Sequence, residues 1–128
     1  MTKTLIRASG APEPVGPYSQ AVSAGGFIFA SGQLGVDPST GTMLPTVEAQ
    51  AEQALKNLRA VLEAGGSSLD LVLKTTVFLA DMKDFAPVNR VYAGFFREPF
   101  PARAAFQVAG LPLGGLVEIE AVALSGRE

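Results

Sequence analysis

Hydrophobic positions recur along this chain with two different periods, and the switches between them mark its elements. "KTLIR" (3–7) is a short strand candidate. "ASGAPEPVGPYSQ" (8–20) is broken by Pro and Gly and reads as loop. Strand patterns follow at "AVSAG" (21–25) and "FIFASGQLG" (27–35), with Gly25-Gly26 as the hairpin turn between them. "DPSTGTMLP" (37–45) is a turn-rich loop. The period then lengthens. "TVEAQAEQALKNLRAVLEAGG" (46–66) sets Val47, Ala51, Ala54, Leu55, Leu58, Val61 and Leu62 on one stripe at helical spacing. Thr46 suits the N-cap, Glu48 the positive end of the dipole, and Gly65-Gly66 the stop. "LVLKTTVFLA" (71–80) is a strand apolar on both faces. "DFAPVNRVYAGFFRE" (84–98) predicts a second amphipathic helix, with Phe85, Val88, Tyr92 and Phe95 or Phe96 in register. Asp84 is its candidate cap, and Pro87 is tolerated in its first turn. "ARAAFQVAG" (102–110) and "LVEIEAVAL" (116–124) close the chain as strands.

The order β-β-β-α-β-α-β-β predicts an α+β fold, an α/β sandwich in which two helices cover one face of a six-stranded sheet. The strands at 71–80, 102–109 and 116–124 are apolar on both faces, so the uncovered face calls for another subunit. No repeat or linker interrupts the 128 residues, which suit a single domain over 1–128.

Composition sharpens this picture. Charged residues make up 17% of the chain, against about 25% in ordinary soluble domains. The shortfall points to surface hidden in an oligomer. Net charge is -2 with no block of like charge, which argues against a nucleic-acid partner. Histidine and cysteine are both absent. No disulfide framework is possible, and a cytoplasmic setting fits. The lack of thiolate and imidazole ligands argues against a zinc or copper site, Ser-His and Cys-His nucleophile pairs are excluded on the same ground, and no cofactor or metal is expected. "MTKTLIRASG" lacks the apolar core of a signal peptide. No apolar run reaches the ~18 residues of a spanning helix, so no membrane partner is expected.

Chemistry must therefore run on carboxylate, guanidinium, hydroxyl, amide or backbone groups. Period-2 alternation puts Arg103 with Ala105 and Gln107, opposite Ala102, Ala104, Phe106 and Val108. Small neighbours leave room beside a guanidinium whose planar fork matches a carboxylate. The bland alternative is an ion pair with Glu118 or Glu120 at an interface. Those glutamates share one face of the last strand. They suit acid–base work, or a solvated edge and a pair with Arg103 or Arg90. Tyr18 and Ser19 in "GPYSQA" precede a strand, and a tyrosine capping the core would explain them equally. Ser31 and Gly32 of "SGQLG" form no phosphate-loop pattern. Asn89 sits on the second helix among apolar positions and either caps a group across an interface or faces water.

Together, "GPYSQA", "ASGQLGVDPSTG", "DFAPVNRVYAGFF" and "FPARAAFQVAGLP…VEIEAVAL" resemble the reactive intermediate deaminase (RidA, YjgF) family, in order and over nearly the whole chain. The resemblance implies a chorismate-mutase-like fold and a homotrimer with sheets inward and helices outward. It places sites in three clefts between subunits. Matched motif by motif, it implies Arg103 and Glu118 as catalytic, and Tyr18, Ser31, Gly32, Asn89 and Ala105 as substrate-binding. The implied reaction is hydrolysis of 2-imino acids and their enamine tautomers, 2-iminopropanoate and 2-iminobutanoate, to 2-oxo acids and ammonia. These imines arise from PLP-dependent dehydratases. The alternative is a non-enzymatic trimer that senses a small ligand or acts as a chaperone through the same clefts. A ribonuclease, also attributed to the family, fits poorly without histidine or a basic face. Where the family often has Cys, Ser or Thr this chain has Ala105, and Ala104 precedes it.

Overall fold

The structure is a computed structural model and describes residues 2–126. In chain order the elements are β1 (Thr4–Ile6), β2 (Ala21–Ala24), β3 (Phe27–Leu34), β4 (Val36–Asp37), β5 (Thr42–Met43), α1 (Val47–Ala64), β6 (Val72–Leu79), α2 (Phe85–Ala93), β7 (Ala102–Gln107) and β8 (Val117–Leu124). Six strands form one mixed sheet in the order β1-β2-β3-β8-β6-β7. Every pairing in it is antiparallel except β6 with β7, the pair joined by the α2 crossover.

Both helices lie on one face. The inward stripe of α1 comprises Val47, Ala51, Ala54, Leu55, Leu58, Val61 and Leu62, as the periodicity predicts, together with Gln50 and Asn57. Against it pack Ile28 from β3, Val77 and Leu79 from β6, and Val117, Ile119 and Ala123 from β8. Thr46 caps α1, its side chain accepting from the Ala49 amide at 3.1 Å.

The expectations are corrected in three places. The segment 37–45 is not all loop, because β4 and β5 pair as a small hairpin. Asp37 closes its turn by accepting from the Ser39 amide and hydroxyl, and Gly41 supplies a φ of +74°. The second helix stops at Ala93 rather than running to 98. Beyond Gly94 the chain is drawn off, with Arg97 paired to Asp70 across 27 residues. Asp84 occupies the N-cap position without a capping bond. The cap lies one turn earlier, where the Asp81 carboxylate accepts from the Lys83 amide at 2.9 Å and starts a 3₁₀ turn leading into α2.

The other face of the sheet is open and largely apolar. Cross-strand register puts Leu5, Val22, Phe29 and Val122 in one row, and Glu118, Phe78 and Phe106 in another. Leu5, Phe27, Phe29, Phe106 and Leu124 are all exposed. Phe78 and Phe106 meet edge to face at 5.4 Å.

Candidate functional site

Glu118 belongs to β8, whose alternate residues Val117 and Ile119 are buried under the helices, so its side chain projects from the open face. Opposite it the β3–β8 register slips between Ala30 and Gln33, an irregularity that brings Gly32 under the carboxylate. A Cβ at position 32 would stand 2.7 Å from Glu118 Oε2, so only glycine lets the carboxylate lie there. Ser31 donates its hydroxyl to the Ser19 carbonyl at 2.6 Å and its amide to the Gln20 carbonyl at 2.9 Å. These bonds hold the Pro- and Gly-rich loop over β3.

The same loop is fastened from behind by the buried Gln20 amide. Gln20 Oε1 accepts from the Ala8 amide at 2.6 Å, and Nε2 donates to the carbonyls of Ala8 at 3.1 Å and Pro12 at 2.9 Å. The sequence reading missed Gln20. Its one signal is a polar residue between a loop and a strand, at a position where the chain turns inward.

The result is a cleft of about 690 Å³ that brings together Tyr18, Ser31, Gly32 and Glu118, with Val15 and Leu113 as apolar walls. Tyr18 is half exposed and faces this cleft rather than capping the core. Burial pushes the Glu118 carboxyl above the ordinary carboxylate range, and the charge of Glu120 on the same face pushes it further. Such a group is a desolvated proton acceptor.

The other predicted residues gather elsewhere. Arg103 lies on the edge strand β7, on the helix side, and is exposed rather than buried because α2 covers it from one side only. Nη1 donates to Asn89 Oδ1 at 2.7 Å. The guanidinium lies over the ring of Tyr92 at 4.9 Å and that of Phe85 at 5.6 Å. Tyr92 shares a buried 2.7 Å hydrogen bond with Thr75 Oγ1. Within the chain, Asn89 holds the arginine. Ala105, two residues along the same face, is partly buried against the core.

Among the described residues no carboxylate lies within 4.0 Å of Arg103, so the ion pair with Glu118 or Glu120 is not made within this chain. Register explains why. Arg103 pairs with Thr75 and Thr75 with Ala121, all on the helix side, whereas Glu118 pairs with Phe78 on the open side. One chain thus keeps the predicted residues in two separate groups: Tyr18, Ser31, Gly32 and Glu118 on one face, and Asn89, Arg103 and Ala105 on the other. Among the described residues no three acidic side chains cluster in a way that could hold a metal ion. No helix there is long and apolar enough to cross a membrane.

Comparison with known proteins agrees with this architecture. The sequence profile of a family described as "Endoribonuclease L-PSP" matches residues 8–125. The RutC family protein y4sK of Sinorhizobium fredii is 55% identical over 119 residues, 91% of this chain and 94% of the relative. The 2-iminobutanoate/2-iminopropanoate deaminase of Mus musculus is 51% identical over 125 residues, 97% of this chain and 93% of the relative. The crystal structure of RidA from the Antarctic bacterium Psychrobacter sp. PAMC 21119 superposes with a TM-score of 0.93 at 49% identity, covering 94% of this chain and 98% of that one. Matched over nearly its full length in sequence and in fold, the chain belongs to the endoribonuclease L-PSP family, the RidA/YjgF family of imine deaminases and their relatives.

Proposed function

We propose that this protein hydrolyses 2-imino acids, with 2-iminopropanoate and 2-iminobutanoate as substrates, to 2-oxo acids and ammonia. It does so as a homotrimer whose clefts join the Glu118 half-site of one chain to the Arg103 half-site of the next. One observation carries the reading: a guanidinium fork without an acidic partner among the described residues and a desolvated carboxylate in a cleft lie on opposite faces of one sheet. A second copy completes the pair. The mammalian relative's name supports the substrate class.

The chemistry suits these groups. Both arms of Arg103 take the substrate carboxylate: Asn89 occupies one Nη1 hydrogen and leaves Nη2, Nε and the second Nη1 hydrogen for it. Holding the imine in place supplies the entropic part of the barrier. Glu118 accepts a proton from water as its oxygen attacks the imine carbon. That proton passes to nitrogen to give a carbinolamine; its hydroxyl proton then follows to nitrogen, through Glu118, as the carbon–oxygen double bond forms and the carbon–nitrogen bond breaks, so that ammonia leaves the 2-oxo acid. An imine is already electrophilic, so neither a covalent nucleophile nor a metal is required. At position 105 the alanine offers only backbone groups, and those of an edge strand are free on one side.

The test is a coupled assay in which a PLP-dependent dehydratase generates 2-iminopropanoate and 2-iminobutanoate in situ. Oxo-acid release well above the buffer rate is expected. Release at the buffer rate would leave a ligand-sensing or chaperone-like trimer as the reading.

A further inference from the structure

A cation without a counter-ion needs something else to hold it still. Arg103 has one neutral hydrogen bond, to Asn89, and no acidic neighbour among the described residues. Its remaining contacts are the faces of two aromatic rings, Tyr92 at 4.9 Å and Phe85 at 5.6 Å. Ring quadrupoles attract a guanidinium without neutralising it. A carboxylate partner would hold the side chain as firmly but would compete with an incoming anion for the same fork.

The closer ring is itself immobile. Tyr92 is 6% exposed, stacks on Phe96 at 4.5 Å and is tied through its hydroxyl to Thr75 at 2.7 Å. Thr75 is fully buried and pairs in register with Arg103 across β6 and β7. Strand, ring and guanidinium thus form a closed triangle of contacts.

We propose that the ring of Tyr92, anchored by Thr75 and assisted by Phe85, is the shelf that aims the Arg103 fork at the substrate carboxylate. Tyr92 is then a positioning residue, with no contact to the reacting atoms. The inference rests on the reading of Arg103 as a carboxylate clamp. It adds that the ring, not the hydroxyl, serves binding.

The probe is 2-oxobutanoate, the product of 2-iminobutanoate hydrolysis, which carries the carboxylate, titrated calorimetrically into the wild type and into Tyr92→Leu, Tyr92→Phe and Phe85→Leu, each sized and melted alongside. Tyr92→Leu should weaken binding roughly tenfold, and Phe85→Leu about threefold, because each removes a ring from the cation. Tyr92→Phe, which keeps the ring, should bind like the wild type while melting at lower temperature. In turnover the loss should appear in KM, with kcat unchanged.

Wild-type affinity in a folded Tyr92→Leu overturns the shelf and leaves the clamp intact. Equal losses in Tyr92→Phe and Tyr92→Leu overturn it too, since the hydroxyl would then be the active part. Should Tyr92→Leu fail to fold, Phe85→Leu decides, and unchanged binding there counts against the shelf. A wild type that binds no 2-oxobutanoate overturns the clamp itself and the shelf with it.

Discussion

Glu118 can take a proton from water only when it is ionised. Burial first, and then the nearby charge of Glu120, hold its carboxyl above the ordinary value of 4.5. The sign follows directly. Because the active form is the carboxylate and its pKa is raised, kcat should climb with pH through a midpoint above the usual carboxylate range. Glu120→Gln removes the second cause and should shift that acid limb to lower pH with little loss at neutrality. Glu118→Gln keeps the size but cannot accept the proton, so kcat should collapse while KM changes little. Steady-state rates of the three proteins from pH 5 to 9, corrected for buffer hydrolysis, check both statements. A silent Glu118→Gln beside an inactive Glu120→Gln would mean the roles are reversed. Alternation alone places Arg103 with Ala105, and Glu118 with Glu120. It cannot say which face of the sheet each strand turns outward. That depends on the pairing of Thr75 with Arg103 and of Phe78 with Glu118, a long-range register that no local pattern encodes.

The helix α1 was readable from its apolar stripe, but two of its inward positions are polar, and they do the fastening. Gln50, 3% exposed, donates through Nε2 to the Leu44 carbonyl at 2.8 Å and accepts at Oε1 from the Leu116 amide at 2.7 Å. Asn57 donates to the carbonyls of Leu34 and Val36 at 3.1 and 2.9 Å. Gly35 has no Cβ because one would stand 2.3 Å from Gln50 Cα, so the β3–β4 turn rests directly on the helix. The two polar residues stand seven apart, two helical turns on the same stripe, and that spacing was the available signal for a helix that binds loops as well as burying a core. The hairpin β4–β5 and the early end of α2 were less readable. The hairpin turn is closed locally by Asp37 and Gly41, but its place on the helix depends on bonds from Gln50 and Asn57, and beyond Gly94 the chain meets Asp70 through Arg97, contacts between residues far apart in sequence. Gln50→Leu would strand the Leu44 carbonyl and the Leu116 amide. Both bonds are partly buried, and each is worth about 0.5–1.5 kcal/mol, so a loss of about 1–3 kcal/mol in urea unfolding is expected. Leu116 leads straight into β8, so the surviving folded fraction should also turn over more slowly as Glu118 loses its register. Unchanged stability in Gln50→Leu would show that water replaces both bonds.

The assembled protein has to reconcile an open apolar face with two half-sites that a single chain keeps apart. Leu5, Phe29 and Phe106 on that face are each about half exposed, at 56%, 49% and 45%. A charged content of 17% leaves few residues to keep such a surface in water. A head-to-tail ring of three copies would cover the face and set the Arg103 edge of each chain against the Glu118 cleft of its neighbour. Sizing at micromolar concentration should therefore give a trimer. The sharper test asks whether catalysis is shared between chains. Arg103→Ala should lower kcat/KM about a hundredfold or more, and Arg103→Lys should not restore it, because an ammonium lacks the fork. Glu118→Gln should be inactive for the separate reason given above. Co-expressed in equal amounts, the two inactive chains should regain activity. An intact site needs Arg103 from a Glu118→Gln chain and Glu118 from an Arg103→Ala chain. With random assortment in a closed ring that arrangement occurs at about a quarter of the interfaces, so about a quarter of wild-type activity is expected. The doubly substituted chain mixed with wild type gives a control in which the same count of intact interfaces arises only between wild-type neighbours. If the two single variants stay inactive together while native mass spectrometry shows mixed trimers, Arg103 and Glu118 must act within one chain, and the opposite faces of its sheet would have to be bridged by a movement of β7.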